Sequence, residues 1–261
     1  MDIALTGRTA LVTGGTQGIG LAVAREMASL GARVVVLARD AAKGEAACAS
    51  LDRPEGQAHG VVIADMADSP ALQAAVAGAI ASTPVDIVVN NTGGPPPGPA
   101  HLAGVEDFER AFRLHLLAYQ IVLGQVVPGM KERGHGRIIN IISTSVKQPL
   151  HGLGVSNTIR GAVANWAKTL ANELGPYGIT VNNVLPGATE TERLADIIKR
   201  KAAGAGLSEA HVAAEMRAEV PLRRFALPAE IAWAVAFLAG PSGSYINGIN
   251  LPVDGGRTAC L

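Results

Sequence analysis

The segment Thr13-Gly14-Gly15-Thr16-Gln17-Gly18-Ile19-Gly20 lies between an apolar run that reads as a strand and a longer stretch that reads as a helix. Glycines at 14, 18 and 20 permit a tight turn, a close approach of backbone to phosphate, and close packing of the next helix on its sheet. The helix that starts here offers free N–H groups and the positive end of its dipole to a pyrophosphate. A glycine spacing alone describes many ordinary strand-to-helix turns. Here a strand at 9–13 precedes it and a helix at 18–30 follows, near the chain start, which is the context a dinucleotide site requires.

Outward from this turn the same alternation repeats. Strands are expected at 9–13, 33–38, 60–64, 86–90, 137–142, 180–185 and 249–253, and helices at 18–30, 41–51, 70–82, 105–133, 152–174 and 228–239. Most strands are continuous Val/Ile/Leu runs, which suits a parallel sheet buried on both faces. The order predicts an α/β fold: a Rossmann-type, doubly wound, seven-stranded parallel sheet with helices on both faces. Two stretches break the rhythm. Residues 92–99 (TGGPPPGP) are too rich in Pro and Gly for a helix and read as a rigid loop. Residues 188–222 carry helix-forming, charged sequence interrupted by Gly204 and Gly206. Beyond the carboxyl end of a strand, that excursion reads as a substrate lid or as a surface helical hairpin. No linker divides residues 1–261, so one domain is expected.

Composition narrows the class. The chain has no net formal charge, is 48% hydrophobic and is only 17% charged, so nothing draws it to nucleic acid or to an acidic membrane surface. Its two cysteines, Cys48 and Cys260, form neither a CxxC pair nor a cluster with histidine. No metal site is expected, and a reducing, cytoplasmic setting follows. The chain start has no cationic segment leading into an apolar one, and the run 231–240 is too short for a bilayer. A soluble protein without membrane contact is expected.

The glycine turn belongs to a wider pattern. Asp65 in VVIADMAD, Asn90-Asn91-Thr92-Gly93 after the fourth strand, Pro186-Gly187 with Thr189 and Thr191 beyond, and the closing stretch YINGINLPVDGG (245–256) follow TGGTQGIG in order. Over nearly its whole length the chain resembles a short-chain dehydrogenase/reductase of the classical type. The resemblance implies a cofactor held by Gly14, Thr16, Gln17, Gly18, Ile19 and Gly20 of the turn. It adds Arg39, Asp65 and Met66, then Asn91 and Gly93, Arg160, and Pro186, Gly187 and Thr189. It also implies a homotetramer or homodimer, assembled through the helices at 105–133 and 152–174.

The second strand speaks to which dinucleotide. Where an acidic side chain would take the ribose hydroxyls of NAD, this chain has Ala38, and Arg39 follows. A guanidinium there suits the 2′-phosphate of NADP, so NADP is preferred and NAD stays possible. Asp40 either pairs with Arg39 or caps the next helix.

The resemblance departs at the reacting end. It implies a catalytic tyrosine with a lysine four residues later, a serine near the fifth strand and an asparagine in the fourth-helix region. Those positions fall on Ser156, Arg160, Ser143 and His115, so only the serine is kept. A phenol has a pKa of about 10 that a nearby ammonium can lower, whereas a serine hydroxyl is a far weaker acid. Arg160 stays charged and can hold a ribose or an anion, but it cannot pass a proton onward. At i and i+4, Ser156 and Arg160 still share one helix face. His115, or His151 in the loop before Ser156, could supply acid–base chemistry near neutral pH, although a histidine in such a helix or loop is more often a packing or surface residue. Tyr119, one turn past His115, reads as a core or subunit-contact residue.

Two classes of function fit. One is an NADP-dependent oxidoreductase acting on a keto or hydroxyl group of a small molecule, with an altered proton path. The other is a dinucleotide-binding regulator or partner subunit without turnover. Dehydration or isomerisation in the same pocket stays open, and Arg160 with Lys147 hints at an anionic substrate.

Overall fold

The computed structural model describes residues 1–260; Leu261, the last residue of the expected domain, lies outside the described residues. Runs of β-branched side chains, which fit a pleated surface, form β1 (Thr9–Thr13), β2 (Arg33–Ala38), β3 (Gly60–Ile63), β4 (Ile87–Asn90), β5 (Gly136–Ile141), β6 (Ile179–Pro186) and β7 (Asn250–Val253). All pair in parallel in a single sheet of order β3-β2-β1-β4-β5-β6-β7. The winding reverses between β1 and β4, and a crevice at the carboxyl ends of those two strands is the expected ligand position in such a sheet.

Successive side chains on each strand enter opposite layers, which is why the runs are apolar without alternation. Leu11 packs into a core shared with α3 (Ser69–Ser82), α5 (Ala118–Arg133) and α6 (Gly154–Leu174). Its neighbours Ala10 and Val12 face the other core, built with α1 (Gly18–Ser29), α2 (Ala41–Ala49) and α9 (Pro228–Ala239).

Strand boundaries differ from the sequence expectation by at most one residue. The helix expected over 105–133 is α4 (Val105–Phe112), a π-helical turn at Arg113–Leu117, and α5. Apolar periodicity does not reveal the wider turn, a feature that recurs at functional sites. The helix expected from 152 starts at Gly154, because Gly152 has a φ of 71° and cannot be its first turn.

The 188–222 excursion forms α7 (Glu192–Ala205) and α8 (Glu209–Ala218). Gly204 does not interrupt it but lies inside α7, whereas Gly206 ends that helix at a φ of 67°. Leu194, Ile198, Ala202, Val212, Ala213 and Phe225 give the pair a small core of its own. Glu190 N–H donates to the Ala226 carbonyl at 2.8 Å and Ala226 N–H to that of Ala188 at 2.9 Å, closing the excursion at its base.

A polar row crosses the sheet within these apolar layers. Asn90 donates its side-chain amide to Asn140, Asn140 to Asn183 and Asn183 to Asn250, each at 2.8 Å. The four residues are direct register partners on β4 to β7. Each bond satisfies a polar group that the sheet would otherwise bury alone.

Candidate functional site

At the switch point the glycine turn is bound to the strand beside it. Asn91 N–H donates to Thr13 Oγ1 at 2.8 Å, Thr13 Oγ1 donates to the Asn91 carbonyl at 2.7 Å, and Asn91 Nδ2 donates to the Gly14 carbonyl at 3.2 Å. Gly14 has a φ of 59°, and a Cβ on Gly20 would come within 2.7 Å of Asn91 Nδ2 and closer still to the Gly14 carbonyl oxygen. The turn is therefore folded back on the first turn of α1, as the glycine spacing implies. Gln17, the residue before α1, is extended and supplies no side-chain cap, and no acidic residue occupies the first turn. The leading N–H groups of α1 are left for another acceptor, and an anionic pyrophosphate fits that donor set. The segment after β6 reaches the same turn: a Cβ on Gly18 would lie 3.3 Å from Thr191 Cγ2.

Around this cradle stand the other residues implied by the resemblance. Asp40 Oδ1 accepts from Lys43 N–H at 3.1 Å, so Asp40 caps α2. Arg39 is exposed and makes no ion pair among the described residues. Asp65 is exposed, with Oδ1 accepting from Ala67 N–H at 2.8 Å, and Met66 beside it is buried. Gly93 is exposed beyond half-buried Asn91. Gly187 N–H donates to the Val253 carbonyl at 3.0 Å and Thr189 Oγ1 donates to the Gly187 carbonyl at 3.1 Å, which holds the chain leaving β6 against the end of β7.

The reacting end is drier. Ser143, just past β5, accepts at Oγ from Ser145 N–H at 3.1 Å, which leaves its hydroxyl proton free to donate. Ser156 and Arg160 lie one turn apart on α6 and are only 6% and 7% exposed. Arg160 Nη1 donates to the Ile141 carbonyl at 3.2 Å, and burial pulls its pKa below the usual guanidinium value. His115 sits in the π turn, buried, with no partner for Nε2. Burial, then the charges of Arg160 and Arg193, hold its pKa down to about 3. Burial thus favours the neutral imidazole of His115, which leaves Nε2 able to accept or donate one hydrogen bond according to its tautomer. Tyr119 is fully buried, edge-on to His115 with ring centroids 6.3 Å apart; its hydroxyl has no partner and burial raises its pKa. His151 is exposed in its loop.

The Pro/Gly loop is held at two places. Gly98 N–H donates to the Gly152 carbonyl at 2.7 Å and Gly154 N–H to that of Gly98 at 2.9 Å, tying the loop to the start of α6. Arg193 on α7 donates from Nη1 to the Gly94 carbonyl at 2.9 Å and from Nη2 to that of Pro95 at 3.4 Å. The loop is thus tied both to the start of α6, two residues before Ser156, and to α7.

Residues 8–202 match the family model described as short chain dehydrogenase. This chain is a short-chain dehydrogenase/reductase. The chain is 34% identical over 256 residues to the 4-formylbenzenesulfonate dehydrogenase of Comamonas testosteroni, covering 97% of this chain and 98% of that one. The crystal structure of L-sorbose reductase from Gluconobacter frateurii, complexed with NADPH and L-sorbose, superposes with a TM-score of 0.93 at 32% identity over the full length of both chains. The 3-ketoacyl-(acyl-carrier-protein) reductase of Brucella melitensis, complexed with NADH, gives a TM-score of 0.85 at 33% identity, covering 98% of this chain and all of that one.

Among the described residues, no helix is long and apolar enough to cross a membrane, and no group of three His, Cys, Asp or Glu side chains could hold a metal ion. Two features escaped the sequence reading. Arg193 has no local signal, since its role depends on a loop 99 residues away. The asparagine row did leave one: asparagines inside or at the end of four otherwise apolar runs, one each in β4, β5 and β7 and two in β6.

Proposed function

We propose that this short-chain dehydrogenase/reductase interconverts a hydroxyl and a keto group on a small molecule with NADP(H), NAD(H) being the weaker alternative. The uncapped amino end of α1 over the Gly14–Gly20 turn carries the reading, because it presents the N–H donors that a pyrophosphate requires. Arg39, exposed and unpaired beside the end of β2, favours the 2′-phosphate. Of the two nucleotide-bound relatives, one holds NADPH and the other NADH, so the fold accommodates either cofactor.

The residues divide the work as follows. A bound nicotinamide supplies or takes up the hydride. Ser143 donates a hydrogen bond from its hydroxyl to the substrate oxygen and polarises it. Arg160 holds the nicotinamide ribose or a substrate anion, and Ser156, on the same face of α6, adds a second hydroxyl. No phenol–ammonium pair stands at 156 and 160, so water or a histidine supplies the proton exchanged at the substrate oxygen. Absence of a positioned acid typically costs ~10²–10⁴-fold in rate, and a slow enzyme is expected. The α7–α8 pair acts as a substrate lid within a single domain. Exposed Leu102, Val105, Phe112 and Leu117 favour assembly into a homodimer or homotetramer through this side of the molecule.

The test is NADPH oxidation against a panel of ketones and aldehydes, run beside direct NADPH binding. Turnover of any member supports the oxidoreductase. Tight NADPH binding with no turnover favours a dinucleotide-binding regulator, the reading that the same buried Ser156 and Arg160 also permit. The double change Ser156→Tyr with Arg160→Lys is the companion: lower activity marks the native set as a working mechanism, and activity gained from nothing marks it as silent.

A further inference from the structure

A cavity of about 190 Å³ lies between the turn that follows Ser143 and the chain that leaves β7. Thr144, Gln148 and Leu150 line one side, Arg257 and Thr258 another, and Glu219 at the end of α8 completes the wall. Thr144 follows Ser143 directly, so the cavity begins one residue, about 3.8 Å of backbone, from that serine.

Five of the six lining residues are polar, and the fold uses only part of their bonding capacity. Thr258 donates from its N–H and its hydroxyl to Asp254 Oδ2, at 2.8 and 2.6 Å. Ala259 N–H donates to Gln148 Oε1 at 3.2 Å, which ties the end of the chain to the serine's loop and fixes the sense of the Gln148 amide. Arg257 Nη2 pairs with Glu219 Oε2. Left over among the described residues are donors on Gln148 Nε2 and on Arg257 Nε and Nη1, and acceptors on Glu219 Oε1 and the Thr258 oxygen. Thr144, the most buried of the six, is 3% exposed, and its hydroxyl has no partner.

The charges that line the cavity are Glu219 and Arg257, which oppose each other. An anionic ligand would meet the carboxylate and a cationic one the guanidinium. An aliphatic or aromatic ligand would cover the leftover donors and acceptors without bonding them, which is costly. A hydroxyl both donates and accepts, so hydroxyls on successive carbons satisfy such a mixed set together.

We propose that this cavity is a substrate subsite for a neutral, polyhydroxylated carbon chain of the sugar or sugar-alcohol kind, held with its reacting carbon at Ser143. What happens to that carbon rests on the oxidoreductase reading above; recognition of the hydroxyls does not. Gln148 and Glu219 are the specificity residues, one giving N–H donors and the other a carboxylate acceptor.

Two arms test the subsite in the NADPH-saturated protein. In the first, xylitol, 1-pentanol and the xylonate anion are titrated calorimetrically. Xylitol should bind about tenfold or more tightly than either of the others, and about tenfold less tightly in Gln148→Leu and in Glu219→Leu. Both side chains are exposed, and NADPH affinity measured beside each titration verifies that the variants fold. No xylitol binding, binding no tighter than that of 1-pentanol or xylonate, or binding indifferent to both changes overturns the proposal. In the second arm, kcat/KM for reduction of xylulose is compared with that for 2-pentanone, the same carbon skeleton without the other hydroxyls. Xylulose should lead by about tenfold or more, through KM, and lose that lead in both variants while 2-pentanone does not fall. Equal values, or a lead that neither variant moves, overturn the subsite. Xylitol binding that depends on Gln148 and Glu219, without turnover of either ketone, sinks the oxidoreductase reading and leaves the subsite standing.

Discussion

The Thr13 hydroxyl bridges two backbone groups of Asn91, accepting from its N–H at 2.8 Å and donating to its carbonyl at 2.7 Å. One side chain thereby joins the carboxyl ends of β1 and β4, the strands between which the sheet changes its winding direction. Thr13 is fully buried, so no water can replace it. Thr13→Val keeps the shape and strands both Asn91 groups, and should cost about 2–4 kcal/mol. Urea unfolding would register that as a lower midpoint with an unchanged slope, and NADPH titration as weaker binding.

Gly20→Ala acts on the same turn by volume. Its Cβ would meet the Gly14 carbonyl and Asn91 Nδ2, and both are fixed by hydrogen bonds. The turn must open, so NADPH affinity should fall by at least about tenfold, equivalent to about 1.4 kcal/mol. Fluorescence titration of NADPH measures this; unchanged affinity would mean that the pyrophosphate does not sit here.

Arg39 offers a charge-assisted contact available to one cofactor only. Arg39→Ala should weaken NADPH by about 1.5–3 kcal/mol and leave NADH binding close to its original value. Parallel titrations with the two cofactors decide it. A uniform loss would place the 2′-phosphate elsewhere.

Asn140 is a middle member of the row that runs from Asn90 to Asn250. Asn140→Ala strands the Asn90 amide donor and the Asn183 carbonyl acceptor, both in buried residues. A loss of about 2–5 kcal/mol is expected from two unpaired buried groups. Asn250→Ala, at the half-buried edge, strands only the Asn183 donor and should cost clearly less in the same thermal melts.

His115 makes stability fall with acid. Its pKa is about 3 in the folded chain against 6.5 as the ordinary value, so between those limits the unfolded state binds the extra proton. The stability present above pH 6.5 declines as pH falls toward 3, by about 2 kcal/mol at pH 5 for this group alone. His135, held to about 4 mainly by burial, adds to the slope in the same direction. Melting temperatures from pH 7.5 to 5 should drop less steeply in His115→Gln than in the parent. Parallel curves would show that His115 protonates as readily when folded.

Much of the architecture was legible before any coordinate. Continuous Val/Ile/Leu runs separated by helical lengths specify a two-sided parallel sheet, because no other arrangement buries both faces of such strands. The glycine spacing likewise specifies its turn, since positions 14 and 18 need positive φ and position 20 tolerates no Cβ. The π turn at His115 was invisible, because one extra residue in a helical turn leaves the apolar pattern almost unchanged. Both Gly204 and Gly206 read as interruptions of that stretch, yet only Gly206 ends a helix, a local choice between two similar glycines.

By itself, then, the sequence determined the sheet, the phosphate turn and the replacement of a phenol and an ammonium by Ser156 and Arg160, because these are matters of residue type and short-range spacing. Tertiary structure alone decided the burial of His115, the freedom of Arg39 once Asp40 had turned to cap α2, and the setting of Arg193 on the Gly94 loop. Burial, and charges arriving from distant segments, set those properties, and neither is written in the neighbouring residues.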